Sequence, residues 1–329
     1  MINAKQTIKG GLIGLLAAIG SVLSGASLAQ SWPSTKPITV LNPAPGGGIL
    51  DVLLRTTSEV VSKRIGQTIV VESRSGGAGV PVGQAIAGGA ADGYLIGANY
   101  ASHVINPYSI KSLPYDTFRD FAAVTWLVNL NIVMVAPTAA PYSTVPELIK
   151  FAKDNPGKIS FGVPGLGGSV HFGFEAFRMA AGLSTEAVPY RGEAPVLLDL
   201  VGGRLNLSIL STGTSQPQVA AGKLKVLAAV SDARLPSHPT VPTISEGFPG
   251  FKPLLTWYGL YMKAGTPTAM VDRISSEYHT AGQDPVVKAK LEGVGLMPIG
   301  STPAEFAAQL KSEYELYGEL IRKTGFKFE

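Results

Sequence analysis

Cysteine is absent from all 329 residues, which removes disulfides, thiol nucleophiles and cysteine-ligated zinc in one step. Charge is scarce as well. Asp, Glu, Lys and Arg together make up 15% of the chain, against roughly 25% in ordinary soluble proteins. No basic stripe of the kind a nucleic acid backbone requires is present, and no nucleic-acid partner is expected. The four histidines, His103, His171, His238 and His279, stand at no paired ligand spacing, so no metal site is expected. There is no Walker loop, and no cofactor is expected. Beyond the first residues, no apolar run is long enough to cross a bilayer.

What the chain does contain is turn residues, 39 glycines and 24 prolines, the composition of a compact, loop-articulated protein. Residues 1–29 carry Lys5 and Lys9 but no acid. An apolar run from Gly10 to Val22 follows, and the stretch ends in Ser27-Leu28-Ala29. This predicts a secretory signal peptide cleaved after Ala29, and hence an exported protein. Without those two lysines the net charge falls from +4 to +2. The remaining length is enough for a large core and for two domains.

The most informative stretch is Pro43-Ala44-Pro45-Gly46-Gly47-Gly48-Ile49-Leu50-Asp51. It follows a β-branched run and precedes a segment with helical spacing of Ile49, Val52, Leu53, Val60 and Val61 that stops near Gly66. Strand, glycine turn and helix in that order leave backbone N–H groups uncovered at the positive end of a helix dipole, which is an anion site needing no basic side chain. A second unit of the same kind follows strand Ile159–Val163: Pro164-Gly165-Leu166-Gly167-Gly168-Ser169-Val170-His171, then a helix over Phe172–Ala181. Between and after them strands and helices alternate, which predicts an α/β fold with mostly parallel sheets and ligands outside the carboxyl ends of the strands. Strands are predicted at Thr68–Val71, Tyr94–Ala98, Ile132–Val135, Leu205–Leu210, Val226–Val230 and Trp257–Met262. Helices are predicted over Pro81–Ala90 and Ala194–Val201. Tyr108–Phe121 reads as irregular, and Ser211–Ser215 as a polar loop. Thr144 with Glu147, and Thr302 with Pro303 and Glu305, predict capping boxes, the second opening a helix that ends at Gly325.

Enzymatic patterns come close and fail. Gly167-Gly168-Ser169-Val170-His171 nearly matches the nucleophile elbow of serine hydrolases, but His171 stands where close packing requires glycine. Gly46-Gly47-Gly48-Ile49-Leu50-Asp51 misses the dinucleotide fingerprint, with Asp51 in place of its last glycine. No catalysis is expected; an exported hydrolase using Ser169 is the alternative.

These motifs resemble, over nearly all of the chain after the signal peptide, the substrate-binding receptors of tripartite tricarboxylate transporters, the Bug family. The likeness rests on Trp32-Pro33, Gly47-Gly48-x-x-Asp51, Val70-Val71-Glu72-x-Arg74-x-Gly76-Gly77-Ala78-Gly79 and Asp92-Gly93-Tyr94. It continues through Leu113-Pro114-Tyr115-Asp116, Gly165-x-Gly167-x-x-x-His171, Pro189-Tyr190-Arg191-Gly192, Ala221-Gly222-Lys223-Leu224 and Val241-Pro242-Thr243-x-x-Glu246. The resemblance implies a two-lobed, type II-like periplasmic-binding-protein fold with the ligand cleft between the lobes. Lobe 1 would comprise 30–130 plus 257–329, and lobe 2 residues 131–256. It implies a periplasmic monomer that closes over a small carboxylate and delivers it to integral-membrane permease subunits; a receptor feeding a signalling system would share the same cleft.

Ligand-binding residues expected on these grounds are Ala44, Pro45, Gly46, Gly47, Gly48 and Asp51 in the first loop. In the second they are Val163, Gly165, Leu166, Gly167, Gly168, Ser169 and His171. Arg191 could fork onto a distal carboxylate, and Tyr190, Ser211 and Thr212 stand at further strand ends. Asp51 is expected to order its loop and complement the helix dipole rather than to touch the anion. The chain departs from the family at Val163 and Gly168, where serine is frequent, and at Leu210, where many members carry aspartate. Loss of that acid removes a partner for an ammonium group. A less polar pocket near Tyr190, Trp257 and Trp126 would suit an aromatic or longer aliphatic carboxylate.

Overall fold

A computed structural model describes residues 32–327; the expected signal peptide lies outside them. From β1 (Ile38–Asn42) the chain runs through α1 (Ile49–Ile65), β2 (Ile69–Ser73), a 3-10 turn (Gly77–Gly79), α2 (Val80–Gly88), β3 (Leu95–Asn99), α3 (Ser102–Ser109) and β4 (Phe121–Leu130). A second set follows: β5 (Ile132–Pro137), α4 (Val145–Asp154), β6 (Ile159–Val163), α5 (Ser169–Ala180), β7 (Thr185–Pro189) and α6 (Glu193–Val201). It continues with β8 (Leu207–Ser211), α7 (Thr212–Ala220), β9 (Leu224–Ala229) and the one-turn α8 (Ile244–Gly247). Last come β10 (Trp257–Lys263), α9 (Thr268–Gln283), α10 (Pro285–Gly293), β11 (Leu296–Pro298) and α11 (Pro303–Thr324).

Two sheets result, each with its own core. The first is six-stranded in the order β11-β4-β10-β3-β1-β2, the second five-stranded in the order β7-β6-β8-β5-β9. Alternation along the strands of the first sheet divides its side chains between two faces. Val40, Ile96 and Leu260 pack with Leu53 and Val61 of α1 and Ile274 of α9. On the other face Leu41 and Tyr261 pack with Val82 and Ile86 of α2, and Trp257 packs with Phe306 and Tyr317 of α11. Gly259 is required there, because a Cβ would overlap the Phe306 ring. In the second sheet Phe161 stacks on Phe174 of α5 at 3.5 Å.

The sheets join through two adjacent crossings. Asn131 separates β4 from β5, and Thr256 precedes β10. The Leu130 N–H donates to the Thr256 carbonyl at 2.8 Å, the Asn131 N–H to Gly295 at 2.7 Å, and the Thr212 N–H to the Asn131 carbonyl at 2.9 Å. Paired crossings of this kind allow the bodies to bend about one line while each sheet stays intact.

Parallel pairing holds for β1 with β2 and β3 and for β6 with β7 and β8. It does not extend to the rest. β10 runs antiparallel to both β3 and β4, and β5 antiparallel to both β8 and β9, so each sheet is mixed. The strands on either side of a crossing must enter or leave at the same edge of the molecule, which sets their direction against the crossover strands.

Local signals are well kept. α1 ends at Gly66 in the left-handed conformation, φ 67°, and Thr302 with Glu305 forms a complete capping box on α11. At α4 only half of the expected box is present: the Thr144 hydroxyl accepts the Glu147 N–H, while the Glu147 carboxylate takes the Ser143 N–H, one residue upstream. Three elements differ more. Ser102–Ser109 is a helix despite Pro107 inside it, and Phe121–Leu130 is the longest strand among the described residues. The stretch read as a polar loop is the first turn of α7, with Ser211 as N-cap accepting the Thr214 N–H.

Candidate ligand-binding cleft

Carboxyl ends of β1, β2, β3 and β6 converge on a cavity of about 760 Å³. From the first sheet its wall takes Pro43, Ala44 and Pro45 after β1, then Ser75, Gly76 and Ala78 after β2, then Tyr100 and Ala101 after β3. Helix α3 adds Ser102, Ile105, Asn106 and Ser109, spaced along one helical face. Opposite them stand Leu166, Gly167, Gly168 and Ser169, the crossing contributes Thr256, and β10 contributes Tyr258. No charged side chain is among these lining residues.

The two glycine loops share one backbone plan. Gly47 and Gly167 are both left-handed, with φ of 80° and 74°. Gly48 and Gly168, the N-caps of α1 and α5, have φ/ψ of −76°/173° and −88°/177°. The Gly48 N–H donates to the Pro45 carbonyl at 3.4 Å and the Gly168 N–H to Gly165 at 3.2 Å. In each loop a side chain four residues on clasps the left-handed glycine. The Gly47 N–H donates to Asp51 Oδ2 at 3.0 Å, and the Gly167 N–H to His171 Nδ1 at 3.2 Å. Asp51 also accepts from Arg55 Nε at 2.9 Å and from Asn42 Nδ2 at 3.3 Å. The Arg55 guanidinium above all holds its carboxyl below the usual range, against burial. Burial lowers the His171 pKa, and Glu175 opposes the shift.

Of the residues expected from sequence, Ala44, Pro45, Leu166, Gly167, Gly168 and Ser169 line the cavity. Gly46, Gly47, Gly48, Asp51, Gly165 and His171 belong to the same loops without lining the cavity; Gly46, Gly47 and Gly165 are exposed, whereas Asp51 and His171 are buried and Val163 is fully buried. Tyr190, Arg191, Ser211 and Thr212 lie at the ends of β7 and β8 and are not part of the wall. The Tyr190 hydroxyl donates to Asp199 at 2.5 Å. Ser211 is held by Glu193, which accepts its N–H at 2.9 Å and its hydroxyl at 2.6 Å. A carboxylate of the protein itself thus fills the anion position at the start of α7. Leu210 is fully buried in the core of the second sheet. The two tryptophans also sit elsewhere: Trp257 is buried against Phe306 with its indole N–H on Glu313 at 2.7 Å, and Trp126 lines a separate cavity with His279 and Gln309.

Sequence reasoning missed the cavity's aromatic rings and its polar helix. Tyr100 and Tyr258 meet edge to face at 6.4 Å, and burial raises both hydroxyls, Tyr258 to about 12. Ser102 and Asn106 both donate to the Ala78 carbonyl, at 2.9 and 3.0 Å. Ala78 is the one non-glycine residue with positive φ among those described, at 51°, a conformation sustained only by surrounding bonds. The available signal was positional: Ala78, Tyr100, Ser102 and Asn106 follow β2 and β3 as the first glycine loop follows β1, whereas Tyr258 lies within β10.

Ser169, the residue of the near-elbow, has its hydroxyl 3.1 Å from that of Thr256, while His171 Nδ1 is committed to Gly167. No base is hydrogen-bonded to Ser169. No group of His, Asp or Glu suited to a metal ion occurs among the described residues, and no described helix is long and apolar enough to cross a membrane.

Comparison with known proteins gives this arrangement a lineage. The family model described as "Tripartite tricarboxylate transporter family receptor" matches residues 53–326. The protein of the tcbD-tcbE intergenic region of Pseudomonas sp. (strain P51) is 35% identical over 320 residues, covering 93% of this chain and 95% of that one. Protein BugT of Bordetella pertussis is 28% identical, with 96% and 98% covered. The solved structure of R. palustris Rpa4515 with adipate superimposes with a TM-score of 0.74 at 28% identity, covering 91% of this chain and all of the other. On its sequence, its two-sheet fold and its cleft, the chain belongs to the tripartite tricarboxylate transporter receptors, the TctC/Bug family of periplasmic solute-binding proteins.

Proposed function

We propose that the protein captures a small carboxylate, a dicarboxylate or an aromatic carboxylate, between lobes formed by 30–130 with 257–329 and by 131–256. It then hands the ligand to the permease subunits of a tripartite tricarboxylate-type transporter, working as a monomer and without chemistry of its own. One observation carries this reading: a cavity of about 760 Å³ between the sheets, walled without a charged side chain and edged by a glycine turn at a helix N-terminus. Helix-terminal N–H groups and hydroxyls can satisfy a carboxylate there. Tyr100, Tyr258, Ile105 and Pro43 offer area to an apolar body. Binding favours the closed state by the difference in contacts the ligand makes with the two lobes open and closed. Adipate in the related structure is a flexible dicarboxylate of this type.

A thermal-shift panel of adipate, malate, benzoate, phthalate, citrate and glutamate tests the reading. A ligand at a hundred times its Kd adds about 2.7 kcal/mol of stability. Shifts confined to adipate, benzoate or phthalate support the uncharged, partly aromatic cavity as the selective element; a shift with glutamate alone contradicts it. No shift with any carboxylate overturns the function.

A further inference from the structure

A second cavity, of about 710 Å³, shares no residue with the cleft. Its wall takes Trp126 from β4, His279 from α9, the connection between β11 and α11, and Glu305, Ala308, Gln309 and Ser312 from one face of α11. These elements all belong to the first sheet and the helices packed on it, so no movement of the two sheets is needed to form it. Its size is that of a small-molecule site.

Hydrogen bonding along this wall is one-sided. The Trp126 indole N–H is spent on the Val128 carbonyl at 3.1 Å, so the ring offers π surface. His279 Nδ1 donates to the Gly300 carbonyl at 2.6 Å, which leaves Nε2 of the neutral ring as an acceptor. Gln309 gives an amide N–H to Glu313 at 2.8 Å and keeps its carbonyl oxygen. Glu305 receives the Thr302 N–H and hydroxyl on Oε2, both at 2.8 Å, and its Oε1 has no partner among the described residues. Those two bonds hold its carboxyl below the usual range, so the wall carries a negative charge. The Ser312 hydroxyl can serve either way. No lysine or arginine lines the cavity.

We propose that this cavity binds a small organic cation, an alkyl- or arylammonium, with its charge on the Glu305 side and its apolar body on Trp126, Ile299 and Ala308. A wall of acceptors, one carboxylate and an indole ring answers what such a ligand brings: N–H groups that only donate, a positive charge, and a body that a π face attracts. The chemistry is the opposite of that in the cleft, whose wall carries no charge. The proposal stands whether or not the cleft takes a carboxylate.

The test titrates the 15N-labelled chain from Gln30 onward with benzylamine, and follows the Trp126 indole and Ala308 amide signals by NMR. Benzyl alcohol and benzoate serve as the neutral and anionic counterparts of similar shape. Benzylamine is expected to shift both signals saturably, with a Kd about fivefold or more below that of benzyl alcohol, and benzoate to leave them in place. Glu305→Gln removes the charge while glutamine keeps the capping box. It should weaken benzylamine by about two- to fivefold at low salt, less as salt rises, and leave benzyl alcohol unchanged. Trp126→Leu, read from the Ala308 amide, should weaken benzylamine by about threefold or more; should it not fold, Glu305→Gln decides alone. Equal Kd values for benzylamine and benzyl alcohol would leave an apolar groove without charge selection. No saturable shift at millimolar benzylamine would leave no site, and a shift abolished by saturating adipate would place the amine in the cleft. Each of these three outcomes overturns the proposal.

Discussion

The hydroxyls of Ser169 and Thr256 lie 3.1 Å apart although 87 residues separate them. One belongs to the first turn of α5, the other to the strand crossing that leads into β10, so the contact ties the second sheet to the first at the edge of the cavity. Neither residue has a charged partner, and the bond is worth what a neutral hydroxyl pair is worth. In a double-mutant cycle of Ser169→Ala and Thr256→Val, urea unfolding should give a coupling of about 0.5–1.5 kcal/mol. A coupling of zero would show that the bond does not hold the sheets together. Ser169→Ala should retain ligand-induced stabilisation.

Asp51 joins three donors from β1, the first loop and α1, namely Asn42, Gly47 and Arg55. Asp51→Ala leaves them without their acceptor in a site where Asp51 is 5% exposed, and should cost about 1–3 kcal/mol in chemical denaturation; Asp51→Asn should cost less. Because Arg55 holds the folded carboxyl below 3.8, its contribution is fully present above that value and is lost as pH falls through the lower, folded one. The variants should therefore lose their difference from wild type only in strong acid.

His103 and Glu313 should pull stability in opposite directions over one pH range. Burial lowers His103 to about 4, so the folded chain resists a proton that the unfolded chain takes near 6.5, and stability rises between those values as pH rises. Burial raises Glu313 to about 7, against hydrogen bonds from Trp257 and Gln309. The folded chain thus keeps a proton that the unfolded chain releases near 4.5, and stability falls as pH rises from 4.5 to 7. Each effect is about 3 kcal/mol at full extent, and in wild type they largely cancel. Glu313→Gln should unmask the histidine, giving urea midpoints that climb steadily from pH 4 to 6.5. A flat profile in that variant would refute the pairing.

Tyr100 and Tyr258 form the aromatic edge of the cavity. Replacing Tyr258 by Leu keeps apolar area but removes the ring edge, so affinity for benzoate should fall by about 0.5–1.5 kcal/mol while affinity for adipate changes less. Equal losses for both ligands would mean that the pair supplies shape alone.

What could be read from sequence follows a physical division. The glycine turns, Gly66 and Gly325 as helix stops, and the Thr302–Glu305 box rest on bonds made within a few residues, and their signals are local. β4 was not legible, because Phe121–Leu130 is a strand by virtue of β10, which pairs with it from the far end of the chain. Pro107 concealed α3 and Gly213 with Pro217 concealed α7, although Ser211 caps the latter. At the cleft the loops were visible as glycine runs. Ser102, Ile105, Asn106 and Ser109 mix polar and apolar side chains on one helix face and gave no contrast to detect. That Ser211 would spend its donors on Glu193 could be seen only once β8 and α6 were side by side.

The position of β10 has a consequence for how the molecule is assembled. It lies between β3 and β4, with Gly259 opposite Asn99 on one side and Trp257 opposite Asn129 on the other. Until residue 263 is available, the first sheet consists of the β3-β1-β2 fragment with an open edge and an unpaired β4, while every strand of the second sheet has already been made. The middle of the chain can therefore fold first, and the central strand of the first sheet is inserted only afterwards, with β11 still to add at the edge. Pairings this remote in sequence are slow to form, and open edges invite association with other chains. Fragments ending before Trp257 should aggregate through the first sheet even though the second sheet's strands are complete.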